Sequence, residues 1–383
     1  MLVKIFTISD IHFGNNQNPT ERIYKSLSAF FNTYYNKISN VDIIIIPGDV
    51  FDRLLSSVSD EFKLVIKWVV ELVRFCKNHN IKLRVLEGTH SHDRRQMSTI
   101  YEAISEFVEE QGVDFKYIDK VSVEFIKEYD SLSILYIPDD WKPTSKEVID
   151  DVKKVMKENN LDKVDVVVMH GGFTYQLPLE LPTLFKPDDI LNITDIIAIS
   201  GHIHKPELYK KILTPGSFER LTFTDESDIK YGYIITLDTD GKKFNIERLE
   251  NKSSLLFKTI SLISIKPDDI VPYINKEIKK LIDYNKKRGL KDDKIYVRLI
   301  TSDSLNLNLN ELIKDYKNIV LSIKKEKQKH DKEELKEKLL KIKEKSRLDF
   351  EEVKKYVVDK VSISGDDVSK FIKLLEELKN DNS

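Results

Sequence analysis

The stretch DIIIIPGDVFD, residues 42–52, is a run of strand-forming side chains that ends in a glycine and two aspartates. A helical pattern follows near 59–78, where Phe62, Val65, Ile66, Val69, Val70, Val73 and Cys76 fall on one face. The same sequence of strand, polar loop and helix recurs along the chain. VKIFTIS precedes a helix near 21–38, and IKLRVLE precedes one near 97–110. Two β-patterned runs, KVSVEFI and SLSILYIP, lead to a helix near 145–159, followed by VDVVVMH, DIIAISGH and a closing set of strands to about residue 249. Strands alternating with helices predict an α/β core, and the later strand-rich part predicts a second sheet.

Composition narrows the class. A chain of 383 residues has room for two or three domains and a sizeable core. Its 62 basic and 64 acidic residues nearly cancel, so contact with a polyanion must come from a local patch or bound metal. The single cysteine, Cys76, excludes a disulfide framework and suits a reducing cytoplasmic compartment. The start, MLVKIFTISD, lacks the layout of a signal peptide, and no apolar run is long enough to span a bilayer. A soluble intracellular protein is expected, with no membrane partner.

After residue 250 the pattern changes. Residues 251–323 read as a smaller α/β domain: FKTISLISI, a helix near 267–287, the strand KIYVRLI, a helix near 308–316, and NIVLSIK. Residues 324–348 are almost all charge, with Leu335, Leu339 and Ile342 at helical spacing, and read as a solvated helix or linker. Residues 349–383 read as two amphipathic helices broken at SGDD. Phe350, Val353, Tyr356 and Val357 form one face, and Val368, Phe371, Ile372, Leu375 and Leu378 another.

Histidines and glycines gather where strands end. Six of the eight histidines follow apolar runs: His12, His90, His92, His170, His202 and His204. Glycine permits tight turns and close backbone approach, and α/β sheets place their sites beyond the carboxyl ends of strands. The pieces are D-x-H at Asp10–His12, G-D-x-x-D at Gly48–Asp52, a cluster at 88–93, HGG at His170 and GHIH at His202–His204. Mixed aspartate and neutral imidazole donors suit divalent manganese, iron or zinc better than calcium or magnesium. There are more donors than one ion needs, which points to two ions sharing a carboxylate, about 3.5–4 Å apart.

In this order the motifs resemble the calcineurin-like metallophosphoesterases. The segment TPGSFERLTFTDESDIKYGYIITLD, 214–238, is similar to the region after the last metal ligands in SbcD-like nuclease subunits of ATPase–nuclease DNA repair complexes, phage members among them. The resemblance covers roughly residues 1–250 and implies two facing mixed β-sheets flanked by helices, with the site along one edge. Residues 251–323 match the family's DNA-capping domain in pattern, and 349–383 its ATPase-binding helical element. By motif, Asp10, His12 and His204 would hold one ion, Asp49 would bridge, and His170 and His202 would hold the other.

The cluster at 88–93 departs from the family's Gly-Asn-His-Asp. It reads Gly88-Thr89-His90-Ser91-His92-Asp93. Anchored on the glycine, Thr89 takes the Asn position and His90 the catalytic one. Anchored on the C-terminal side, Ser91-His92-Asp93 keeps the His-Asp pair, in which a carboxylate orients the imidazole. The second register is preferred because loops absorb insertions more readily than catalytic pairs absorb loss. It makes His92 and Asp93 the catalytic pair and Ser91 a candidate ligand, weaker than an amide. Arg94 and Arg95 follow directly and are candidate DNA contacts.

The expected function is manganese-dependent cleavage of DNA phosphodiesters with two divalent ions. The resemblance implies a coiled-coil ATPase partner of the SbcC type, bound through 349–383, and a homodimer. For pairing, the helices near 59–78 and 97–110 are the candidates, since Leu64, Trp68 and Leu72 widen the apolar face of the first. The rivals are a phosphatase or small phosphodiesterase, and a catalytically weakened DNA-binding scaffold.

Overall fold

In the computed structural model, residues 1–139, 142–177, 181–290, 292–302, 314 and 316–326 are described. The segments 327–348 and 349–383, and most of the expected helix near 308–316, lie outside the described residues. The chain divides into two compact units, Met1–Leu299 with Asn308–Ile323 and Ile300–Leu307 with Lys324–Ser383.

The first sheet is built from β1 (Leu2–Thr7), β2 (Ile43–Ile46), β3 (Lys82–Leu86), β4 (Phe115–Ile118), β11 (Tyr231–Asp238) and β12 (Lys243–Glu250), in the order β12-β11-β1-β2-β3-β4. The second contains β5 (Ser122–Ile126), β6 (Leu132–Ile137), β7 (Val164–His170), β8 (Thr194–Gly201), β9 (Glu207–Tyr209) and β10 (Ile212–Thr214), in the order β5-β6-β7-β8-β10-β9. Both are mixed. β1, β2, β3 and β4 run parallel, while β11 returns antiparallel to β1. In the second sheet β6, β7 and β8 are parallel and β5 is antiparallel to β6.

Side chains alternate along a strand, so each sheet serves two cores. Ile43 and Ile45 point with Val3, Ile5 and Ile235 into the space between the sheets, where they meet Val166, Val168, Ile197 and Ile199. Ile44 and Ile46 point the other way, onto α1 (Thr20–Thr33), α3 (Asp60–His79) and α4 (Gln96–Ala103). Val167 and Met169 of β7 cover α6 (Ser145–Glu158) and α7 (Pro187–Leu191). Strands covered on both faces read as near-continuous apolar runs, which accounts for IIII and for VDVVVM, interrupted by Asp165 alone.

The helix expected near 21–38 breaks at Tyr34 into α1 and α2 (Tyr35–Ile38), and the one near 97–110 breaks at Ile104 into α4 and α5 (Ser105–Gln111). Of the three residues that widen the apolar face of α3, Leu64 is half-buried and the other two are buried. Trp68 and Leu72 are each 5% exposed, and Trp68 packs edge-on against Phe13 at 5.3 Å. Cys76 is buried too, and burial pushes its thiol up to about 12. Among the described residues no helix is long and apolar enough to cross a membrane.

Beyond the two sheets lie a three-stranded sheet of order β13-β14-β15 (Leu256–Ser261, Ile295–Ser302, Ile319–Glu326) and α8 (Ile270–Lys287). Buried Glu219 anchors its root, accepting from Leu255 N–H at 2.9 Å, Asn251 Nδ2 at 3.2 Å and Asn18 Nδ2 at 3.1 Å. Arg22 reaches Glu219 at 3.6 Å and Asp293 at 2.5 Å.

Arg84 of β3 is fully buried between the sheets. Its Nε and Nη2 donate to both oxygens of Glu124 at 2.8 and 2.7 Å, and Nη2 also reaches Asp114. Burial opposes ionisation of Glu124, but Arg84 outweighs it and holds the carboxyl at about 2. Removing one partner of a buried pair leaves an uncompensated charge, so Arg84→Met should cost about 3–5 kcal/mol in urea unfolding. Glu124 titrates lower in the folded chain than in the unfolded one. Its stabilisation is therefore present above about pH 4.5 and lost as pH falls toward 2. Wild-type unfolding free energy should drop across that window, and the drop should be smaller in Arg84→Met.

Candidate metal centre

Every side chain at the site comes from the carboxyl end of a strand. Asp10 and His12 follow β1, Asp49 follows β2, Thr89 and His92 follow β3, His170 ends β7, and His202 and His204 follow β8. The turns that carry them are tight: Asp10, His12 and Asp49 have φ of 51°, 57° and 50°, and His202 has 96°. Such left-handed conformations cost roughly 1–3 kcal/mol each for a residue with a Cβ and persist only where the surroundings over-determine them. Here Asp10 N–H donates to Gly48 O at 3.3 Å and His12 N–H to Asp49 O at 3.1 Å. The glycines are steric requirements. A Cβ on Gly48 would lie 2.3 Å from His170 Nδ1, and one on Gly88 2.0 Å from Asp49 N.

Three overlapping groups of donors result: Asp10, His12 and His204; His12, Asp49 and His92; Asp49, His170 and His202. In the first, His12 Nε2 and His204 Nε2 are 3.0 Å apart, and Asp10 Oδ2 is buried without a hydrogen-bond partner. Asp49, 1% exposed, lies at the junction: its Oδ1 is 3.3 Å from His170 Nε2, and its Oδ2 is 3.1 Å from His92 Nδ1 and 3.7 Å from His12 Nε2.

Neighbouring groups aim the imidazoles. His170 Nδ1–H donates to the Pro47 carbonyl at 2.8 Å, which leaves Nε2 for the site. His12 Nδ1 lies 3.1 Å from Asp52 Oδ1. Asp52 was not expected as a site residue, although it closes the G-D-x-x-D motif.

The charges call for a cation. Burial alone would lower His170, but Asp49 outweighs it and raises the imidazole to about 10. Burial likewise opposes protonation of His12, and Asp52, Asp49 and Asp10 overcome it. Asp49 is pulled well below the usual carboxylate range, against burial, by His170, His92 and His12. His202 and His204 are pushed down by burial and then by their charged neighbours His170 and His12. Protonation is thus favoured at His12 and His170, beside the carboxylates that a divalent ion would neutralise. An orphaned buried carboxylate oxygen and convergent imidazole nitrogens fit two such ions, with Asp49 between them.

The loop 88–93 requires a correction. Ser91, the expected neutral donor, is exposed, while Thr89 turns inward. Thr89 Oγ1 lies 3.0 Å from His170 Nε2, 3.2 Å from His202 Nδ1 and 3.2 Å from Asp49 Oδ2, and its N–H donates to Asp49 Oδ1 at 2.6 Å. His92 nevertheless reaches the site, because a turn closes between them: His92 N–H donates to Thr89 O at 2.8 Å. His90 and Ser91 are carried outward on that turn. Thr89, the residue after the glycine, and His92, the residue before Asp93, are therefore the two of this loop that reach Asp49.

Asp93 also differs from its expected catalytic role. It is fully buried, and its oxygens accept from Phe51 N–H at 2.8 Å and Gly88 N–H at 2.7 Å, tying two loops together. The carboxylate beside His92 is that of Asp49. Arg94 and Arg95 are exposed, with φ of 46° and 57°, on the same loop.

Two facing mixed sheets with a cluster of Asp and His donors at one edge are the features of a metal-dependent phosphoesterase. The chain belongs to the calcineurin-like phosphoesterase family, whose model matches residues 3–206, more than half of its length. No curated protein matches it in sequence. Among solved structures it is similar to TT1561 of Thermus thermophilus, at 10% identity over 65% of this chain and 100% of that one, TM-score 0.36. It is also similar to GAP50, the anchor in the inner membrane complex of Plasmodium, at 16% identity over 66% of this chain and 85% of that one, TM-score 0.34.

A proton on His170 competes with any ion at Asp49, His170 and His202. Since that imidazole titrates near 10, affinity there should rise by about tenfold per pH unit from neutrality toward pH 10, with release of about one proton per ion. Calorimetry in buffers of different ionisation enthalpy measures the release. Asp49→Asn should lower it, because the carboxylate that retains the proton is gone.

Proposed function

We propose that this phosphoesterase is a manganese-dependent DNA nuclease of the SbcD-like type. The observation that carries the reading is the half-exposed His92 beside Asp49, where two buried donor clusters meet. When bound, a pair of divalent ions supplies Lewis-acid stabilisation of the charge that develops on oxygens around phosphorus. Asp10, His12 and His204 would hold one ion, and His170, His202 and the Thr89 hydroxyl the other, with Asp49 common to both. Asp52 and the Pro47 carbonyl keep His12 and His170 turned toward them. His92, alone among these imidazoles in being 35% exposed, would place a proton on the leaving oxygen, an effect worth roughly 10²–10⁴-fold.

DNA is preferred over a small phosphoester because of what is added to the two-sheet body. The small sheet with α8 supplies further surface, and Arg94 and Arg95 stand exposed directly after the site. The proposed partner of 349–383 is a coiled-coil ATPase. The two apolar helical faces expected there from the sequence would be too short to form a core of their own, which favours docking on a partner. Pairing of two copies is also proposed, and light scattering at micromolar concentration tests it.

Linear DNA incubated with manganese should be cut, and chelator or Asp49→Ala should abolish cutting. Cleavage of nitrophenyl monoesters with DNA untouched would make the protein a phosphatase, and metal binding with neither activity would make it a scaffold. His92→Ala should lower turnover by about 10²–10⁴-fold with metal content unchanged, while His90→Ala should be mild. A reversed ranking would remove His92 from the proton-transfer role.

Metal content gives a separate check on Thr89. Thr89→Val should weaken one of two bound manganese ions, and Ser91→Ala should weaken neither. Replacing Arg94 and Arg95 by alanine should flatten the salt dependence of DNA binding by about 0.9 per lost phosphate contact. Deletion of 349–383 should abolish ATPase association and leave manganese-dependent cleavage of short DNA intact.

A further inference from the structure

Lys230 has no solvent exposure, which is rare for lysine and demands partners for its charge. Its ammonium donates to the main-chain carbonyl of His204 at 3.0 Å and to Asp225 Oδ1 at 3.1 Å, and Asp228 Oδ2 lies 3.5 Å away. The same carbonyl accepts Ser217 N–H at 3.1 Å, so both of its lone pairs are engaged. A Cβ on Gly216 would sit 2.6 Å from that oxygen, so the backbone is packed directly against it. The peptide that carries the His204 imidazole is therefore fixed from two sides.

The lysine itself is held by a formed turn. Asp225 Oδ2 accepts Leu221 N–H at 3.0 Å and Thr222 N–H at 3.1 Å, which leaves Oδ1 for the ammonium. The Lys230 carbonyl accepts Asn251 N–H at 2.7 Å, and the Asn251 carboxamide donates to Phe218 O at 2.9 Å. Phe218 N–H in turn donates to Ser9 O at 2.9 Å, the residue before Asp10. Two donors of the first cluster are thus braced by one buried polar system, which comes from the 217–230 segment and Asn251.

We infer that Lys230 is a positioning residue for His204: its ammonium, delivered by Asp225, locks the His204 carbonyl and so aims the imidazole at the ion shared with Asp10 and His12. The inference rests on the reading that these three residues hold a divalent ion. A lysine that merely neutralised Asp225 and Asp228 would affect folding and leave metal affinity alone. Outer-shell partners of a ligating histidine typically govern affinity by 10–100-fold.

The test is calorimetric titration of manganese into the chelator-stripped full chain. Lys230→Met combined with Asp225→Asn removes the ammonium together with its nearest carboxylate, leaving only Asp228, which has some access to solvent, without its cation. Lys230→Gln is the milder variant, since its single short amide cannot span both the carbonyl and the turn. Affinity for one bound ion should fall about 10–100-fold in the double variant and less in Lys230→Gln, with the other ion unaffected. Wild-type affinity in either variant that unfolds cooperatively overturns the role of Lys230, and Lys230→Gln decides if the double variant does not fold. A wild-type chain that binds no manganese would overturn both this inference and the metal reading beneath it.

Discussion

The site is organised around one buried carboxylate. Asp49 is 1% exposed, and an ionised carboxylate in such a place is costly unless its oxygens are met by donors or cations. They are met from four directions: Thr89 N–H, His170, His92 and His12 all approach it. These residues stand at the ends of β1, β3 and β7, so satisfying Asp49 requires the loops of both sheets to converge. The convergence is close enough that Gly48 and Gly88 cannot carry a side chain. It also holds Asp10, His12 and Asp49 in backbone conformations they would otherwise leave.

The sheets make this convergence possible. Parallel neighbours place their carboxyl ends on one edge, and the shared core of Ile43, Ile45, Val166 and Val168 sets the distance between those edges. Alternation along each strand lets its other residues, Ile44 and Ile46 or Val167 and Met169, pack on helices at the outer faces, so the loops are supported from both sides. Glu219 extends this support outward. Its contacts with Asn18, in the loop after His12, and with Leu255, at the root of the small sheet, connect the site to the added structure through buried hydrogen bonds.

Much of this was legible in the sequence. Apolar runs followed by glycine, aspartate and histidine marked strand ends, because strands buried on both faces are mostly apolar and polar side chains gather where they stop; Arg84 and Asp165 are exceptions, each with polar partners. Helix breaks at Tyr34 and Ile104 were not legible, since the apolar spacing continues through them. Neither was the inward turn of Thr89. Which residue of an irregular loop faces a site depends on how its backbone closes, here through His92 N–H to Thr89 O, and spacing along the chain does not encode that. Lys230 and Glu219 were hidden for another reason: charged residues read as surface unless their buried partners are known.

In the loop 88–93, Thr89 and His92 stand three residues apart in sequence and both reach Asp49. A strict alignment forces a choice between a ligand at Thr89 and a histidine at His92, because the family places those roles on adjacent residues. The fold requires no such choice. Thr89 is fixed by its own N–H on Asp49, and Asp93, the residue after His92, is fixed by the Phe51 and Gly88 N–H groups that donate to its carboxylate. With both ends pinned, the two extra residues can leave only toward solvent, which is where His90 and Ser91 stand. The added length therefore alters the chemistry at one point, by placing a hydroxyl where the family has an amide, and leaves His92 beside Asp49. A hydroxyl is a weaker donor than an amide oxygen, so under the proposed function the departure would bear on how tightly the second cluster held an ion rather than on where the imidazole sits.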